Sequence, residues 1–174
     1  MSPGPIAGAV LTGGASRRMG TDKAFLEVAG TAMVVRVVRA LAAAGCDPVW
    51  CQGGDAARLR ALGLAAEPDP HPGAGPVPAI AAAIATARRY GASGLVVAAC
   101  DLPDLTADAV AALLDAAGGA RPAALAVDGA AELVSWWPAA AEIPDGVHSF
   151  RGLLERLGAA LVPARASDVR NVNT

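Results

Sequence analysis

Of the 14 basic residues in this sequence only Lys23 is a lysine; the rest are arginines. An ammonium is a compact point charge and a guanidinium a broad planar fork, so a site that needs the first cannot drift freely to the second. Chance survival of one surface lysine is the plainer alternative. Lys23 closes the segment LTGGASRRMGTDK (11–23). Its consecutive glycines let the backbone come within hydrogen-bonding distance of a ligand, and successive amides in a tight loop make an anion-binding concavity. Arg18 adds positive charge, and the whole suits a nucleoside triphosphate, although glycine-rich loops also serve merely as turns. The segment has neither the GK[ST] ending of a Walker loop nor the GxGxxG spacing of a dinucleotide fingerprint. Asp101 follows the apolar run GLVVAA and Cys100. A carboxylate there can hold magnesium, which takes oxygen ligands, often one or two carboxylates completed by phosphates and water. The competing reading is a turn residue bonding to its own loop.

These residues need elements to position them. Residues 6–12 (IAGAVLT) read as a buried strand running into Gly13-Gly14, and 32–44 as a helix with one wet edge, stopped by Gly45. Pro48 to Gln52 is a second strand, Ala56 to Leu62 a helix, and Leu64 to Glu67 a third strand entering the Pro/Gly-rich loop 68–76. A helix over 79–90 and an apolar strand over 94–99 follow, and Thr106 is a candidate N-cap for a helix through Ala117. Alternating strands and helices, with strands too apolar for a one-faced sheet, predict a doubly wound, mainly parallel α/β domain with helices on both faces. Ala123–Val127 and Glu132–Trp137 flank Asp128-Gly129, which predicts a hairpin at the sheet edge. Ser149 to Leu157 reads as a short helix. No repeat or linker divides the chain, so residues 1–174 are expected to form a single domain. In such folds ligands bind outside the carboxyl ends of the strands, where strand order switches. The loops 12–23 and 69–76 and Asp101 all fall at strand ends.

Composition removes several function classes. Net charge is −2 and the arginines are scattered, so no basic stripe is available for nucleic acid. No apolar run reaches the roughly 20 residues of a membrane helix, and the N-terminus lacks a signal peptide's basic region, which leads to the expectation of a cytoplasmic protein. Cys46, Cys51 and Cys100 form no CxxC pair and read as buried, reduced thiols. His71 and His148 are not spaced as ligands with acids or cysteines. No serine, cysteine or histidine nucleophile is assembled.

The segment LTGGASRRMGTDK resembles the LAGGxSxRMGxDK signature of the molybdenum cofactor guanylyltransferases. Asp69 with GAGPVPAI resembles that family's aspartate and GPLAGI, CDLPDL its CDxPxL, and the closing NVNT its NVNT or NINT. Four motifs in the same order span nearly the whole chain. The resemblance implies nucleotide contacts from Leu11, Thr12, Gly13, Gly14, Lys23, Asp69 and Asp101. It implies catalytic roles for Arg18, Lys23 and Asp101, Mg2+ on Asp101, and acceptor contacts from Asn171 and Asn173. Departures are Gln52 where the family often has asparagine, a proline in GPVPAI, and no recognisable QPL segment near Glu132-Leu133-Val134. Trp136 and Trp137 could show a face to a pterin, but neighbours on a strand point to opposite sides, so at most one does.

The implied reaction is transfer of GMP from GTP to the phosphate of molybdopterin with release of pyrophosphate. That acceptor is already an anionic nucleophile, which agrees with the missing nucleophile constellation. Two alternatives remain: the CTP-dependent cytidylyl branch of the family, and a non-catalytic nucleotide-binding domain. GTP and molybdopterin are the expected partners, with molybdenum-cofactor biosynthesis proteins added by resemblance.

Overall fold

The computed structural model describes residues 4–14, 22–117 and 120–172. In chain order the elements are β1 (Ile6–Leu11), β2 (Glu27–Val28), β3 (Thr31–Ala32), α1 (Met33–Ala43), β4 (Val49–Gln52), α2 (Ala56–Ala61), β5 (Ala66–Glu67), α3 (Pro76–Arg89), β6 (Gly94–Ala99), α4 (Ala107–Ala116), β7 (Ala123–Val127), β8 (Ala130–Pro138), α5 (Phe150–Leu157) and β9 (Ala160–Pro163). Short 3-10 turns cover Lys23–Phe25 and Ala166–Asp168.

A seven-stranded sheet runs in the order β5-β4-β1-β6-β8-β7-β9, and β2 pairs with β3 in a separate two-stranded piece. The pairs β5-β4, β4-β1, β1-β6 and β7-β9 are parallel; β8 is antiparallel to both its neighbours. The sheet is thus α/β, mainly parallel, as the sequence predicts.

Successive residues on a strand face opposite sides, and each face here receives its own layer of helices. Val10, Val96 and Ala98 join Val34, Val37 and Leu41 of α1 and Val110 and Leu113 of α4 in one core. Ala7, Ala9, Leu95 and Val97 join Ile80, Ala83 and Ile84 of α3 and Leu153 and Leu154 of α5 in the other. The uniform apolarity of β1 and β6 therefore serves both faces at once. Gly8 lets α1 come close: a Cβ there would stand 3.2 Å from Leu41, Cys46 and Val49.

The hairpin forms about Asp128 (φ 50°) and Gly129 (φ 80°), the two positive values a two-residue turn of this hand requires. It lies one strand in from the edge, because β9 adds itself to β7. Trp136 and Trp137 do face opposite sides, and each is buried in a different core. Neither is available to a ligand. Among the described residues no helix is long and apolar enough to cross a membrane.

Thr106 caps α4 as expected, its hydroxyl accepting the Ala109 N–H at 3.2 Å. Thr106→Ala is expected to lower stability by about 1 kcal/mol, read as a lower urea midpoint at unchanged slope.

Candidate functional site

Strand order reverses between β1 and β6: from β1 the chain moves outward to β4 and β5, then returns to β1's other side. Leu11 and Ala99, the last residues of these strands, are partners in register. A cavity of about 380 Å³ opens beyond them, in the crevice where this architecture binds ligands. Its wall includes Leu11, Gly13, Gly14 and Lys23 from the first candidate segment, and Ala99, Cys100 and Asp101 from β6 and its end. The 68–76 loop and α3 supply Gly73, Gly75, Pro76 and Ala79. All three segments singled out in the sequence converge there.

Lys23 opens a 3-10 turn whose N-cap is Asp22, the Asp22 carboxylate accepting the Ala24 N–H at 3.2 Å. Ala24 is fully buried, and the Arg58 guanidinium of α2 lies 3.8 Å over the Phe25 ring. The backbone that carries Lys23 is therefore held from behind and from the side. Arg18 lies outside the described residues, as does Asn173.

Thr12 and Asp69 stand behind the wall. The Thr12 hydroxyl donates to Gly53 O at 2.8 Å, and the Thr12 N–H to Gln52 O at 3.1 Å. This contact needs Gly54 (φ 79°), since a Cβ there would stand 2.8 Å from the Thr12 hydroxyl. Asp69 accepts the His71 N–H at 2.9 Å through Oδ1, so it does serve the turn. Its Oδ2 faces Gly13, 3.6 Å from where a Cβ would be. Gln52, 1% exposed, spends both ends of its amide inside the protein: Oε1 accepts from Trp50 at 2.9 Å and Nε2 donates to Pro68 O at 2.7 Å. It ties β4 to the 68–76 loop rather than reaching the cavity.

A helix start leaves about four N–H groups without intrahelical partners, which can bind anions. Pro76 and Pro78 remove two of them at the start of α3. The α3 side therefore offers few donors to an anion, whereas Gly13, Gly14 and Lys23 also line the cavity.

Asp101 is half-buried. Its carbonyl accepts the Val172 N–H at 3.1 Å, which brings the C-terminal segment, and with it exposed Asn171, beside the metal-ligand candidate. Among the described residues no group of three or more His, Cys, Asp or Glu could hold a metal. Cys100 is free and its thiol is pushed up to about 12, first by burial, then by the charges of Asp101 and Asp22. It stays protonated at neutral pH and offers no soft thiolate. One carboxylate with no thiolate beside it fits a hard cation completed by phosphate and water oxygens. Cys46 and Cys51 are buried, free thiols as expected, also pushed up by burial, to about 11 and about 12.

The sequence reading missed Leu133 as a wall residue and Gly53-Gly54 as the support of the first loop. Leu133 arrives because β8 runs against its neighbours: Val134 pairs with Ala98, which puts the preceding residue at the carboxyl end of β6. Gly53-Gly54 had a signal, a glycine pair just past a strand.

Comparison with known proteins gives concordant results. The family model described as the MobA-like NTP transferase domain matches residues 8–167. A Mycobacterium tuberculosis H37Rv protein named "Probable molybdenum cofactor guanylyltransferase" is 33% identical over 170 residues, covering 92% of this chain and 80% of its own. An Opitutus terrae protein of the same name is 40% identical over 102 residues, 59% of this chain, and that match spans about half of the relative, 50%. A crystal structure of M. tuberculosis Rv0371C in complex with manganese superposes with a TM-score of 0.68 at 16% identity, covering 99% of this chain and 95% of that one. At that identity the likeness shows the fold.

Proposed function

The chain belongs to the MobA-like NTP transferase family, and from that premise we propose that it transfers GMP from GTP to the phosphate of molybdopterin, releasing pyrophosphate. The observation that carries the reading is the convergence of Gly13, Gly14, Lys23 and Asp101 on one cavity at the β1/β6 switch. The likeness to relatives named as guanylyltransferases supports the choice of nucleotide and acceptor.

The chemistry is an in-line displacement. An oxygen of the acceptor phosphate forms a bond to the α-phosphorus of GTP, the bond from that phosphorus to the bridging oxygen breaks, and pyrophosphate leaves with its electron pair. With an anionic nucleophile already in hand, the protein's work is orientation and stabilisation of charge. The amides of the Gly13-Gly14 loop and the Lys23 ammonium hold the triphosphate, and Leu11, Asp69 and the backbone at Thr12 belong to the same nucleotide side. Arg18 is assigned to the phosphates from its motif. Asp101 would hold the divalent cation, assigned as magnesium, which when bound neutralises charge on the phosphoryl oxygens. Asn171, which lies where the Val172 N–H meets Asp101, is assigned to the acceptor, and Asn173 is assigned to it from its motif alone.

Incubating the protein with Mg2+, molybdopterin and each nucleoside triphosphate, then weighing the product, tests this reading. GTP should give the guanine dinucleotide, and pyrophosphate should appear only with acceptor present. A product formed from CTP instead would move the chain to the cytidylyl branch. Nucleotide binding without pyrophosphate release would make it a binding domain.

Gly13 is assigned the choice of base, because guanylyl members read LAGG where cytidylyl members tend to read LAAG. Its φ is ordinary, and a Cβ would meet Gly54 N, Asp69 Oδ2 and Gly53 Cα at 3.5, 3.6 and 3.7 Å. Gly13→Ala is therefore expected to fold normally, with its methyl against the nucleotide-side carboxylate. GTP use should fall roughly tenfold more than CTP use, the effect of one buried hydrogen bond lost. An unchanged GTP/CTP ratio in competition assays would remove Gly13 from this role.

A further inference from the structure

The loop after β6 carries a second aspartate, Asp104, on which two cations from distant parts of the chain meet. Arg170 Nε donates to Asp104 Oδ2 at 2.7 Å, and a terminal nitrogen of the same guanidinium is also 2.7 Å from that oxygen. The other carboxylate oxygen faces Arg36 of α1 at 3.9 Å, and Arg36 Nε donates to Pro103 O at 2.7 Å. Two residues beyond Arg170, the Val172 N–H reaches Asp101 O. Asn171 lies between these two attachments.

The charge pattern is lopsided. Removing the Asp104 carboxylate would leave two guanidinium groups facing each other with no anion between them, so the neutral variant does more than delete an attraction. The side chains of Arg170 and Asp104 are 63% and 27% exposed, so solvent screens each pair and neither alone contributes much to overall stability. Where they act is on residues 170–172, which follow the turn Ala166–Asp168 and the buried anchor Val169. Among the described residues no regular element follows that anchor, so a modest energy suffices to decide where residues 170–172 lie.

We propose that Asp104 is a positioning residue: through Arg170 it holds residues 170–172 against the Asp101 loop and so fixes where Asn171 stands relative to Asp101. What Asn171 then serves rests on the function proposed above; the attachment itself does not.

Two measurements separate these layers. Hydrogen exchange at the Val172 amide reads the attachment directly. In Asp104→Asn and in Arg170→Gln it should quicken by about fivefold, the scale of a lost, partly exposed ion pair, and in Asp104→Glu it should return most of the way to the parent rate. Steady-state kinetics should show the KM for molybdopterin rising about as much in the first two variants, with the KM for GTP unchanged. Val172 exchange as slow in both neutral variants as in the parent overturns the proposal, and so does a common rise in both KM values. A parent protein that turns over no nucleotide with molybdopterin would sink the proposed function, and Val172 exchange would still decide the attachment.

Discussion

Asp101→Asn is expected to lower turnover by about a hundredfold or more, the scale of removing a main electrostatic stabiliser of the transition state, while leaving the fold intact. The amide is nearly the same size as the carboxylate but carries no charge. The side chain is half-buried at the cavity wall, outside both cores. The tie from Asp101 to the chain end uses its backbone carbonyl, which the substitution leaves in place. A change in rate would therefore report on the side chain alone. Thermal unfolding should match the parent, and the Mg2+ concentration needed for half-maximal rate should rise. Activity within about threefold of the parent at saturating Mg2+ would refute the assignment of Asp101 as metal ligand.

Lys23→Arg is expected to lose about as much as Lys23→Ala, roughly a hundredfold, even though it keeps the charge. The backbone at this position is fixed by the Asp22 cap, by buried Ala24 and by the Arg58–Phe25 stack, so a longer, forked side chain cannot be accommodated by retreat of the main chain. The donors would shift outward and fan out in a plane. Calorimetric GTP binding and single-turnover rates on both variants test this. An arginine variant that binds and turns over like the parent would end the argument built on the chain's one lysine.

Much of this site was legible because its parts are local. β1 and β6 announce themselves as apolar runs followed by Gly13-Gly14 and by Asp101, and Thr106 announces α4 by its cap. The sequence pattern places the start of α3 at 79, three residues past Pro76, because prolines look like loop. In a helix's first turn they cost only N–H groups the helix does not use. β9 escaped notice because its four residues are mostly exposed and end in proline, a pattern an edge strand tolerates and a buried strand does not. β2 and β3, two residues each, carry too little pattern to show. Leu133 at the cavity wall could not be read from any window of sequence, because its place depends on which strand β8 pairs with and in which direction. Trp136 and Trp137 were placed correctly on opposite faces, yet only the packing shows that both faces bury them.

The contacts behind the cavity wall have a mechanical consequence. Thr12 is bonded to Gln52 and Gly53, Gln52 to Pro68, and the Gly53 N–H to Glu67 O, so the ends of β1, β4 and β5 are laced into one continuous rim. A push on any one of these strand ends is borne by all three. Such a rim acts as the fixed jaw of a vice, setting the register of whatever lies against it. The start of the 68–76 loop is tied to the same rim at Pro68 and so shares its rigidity.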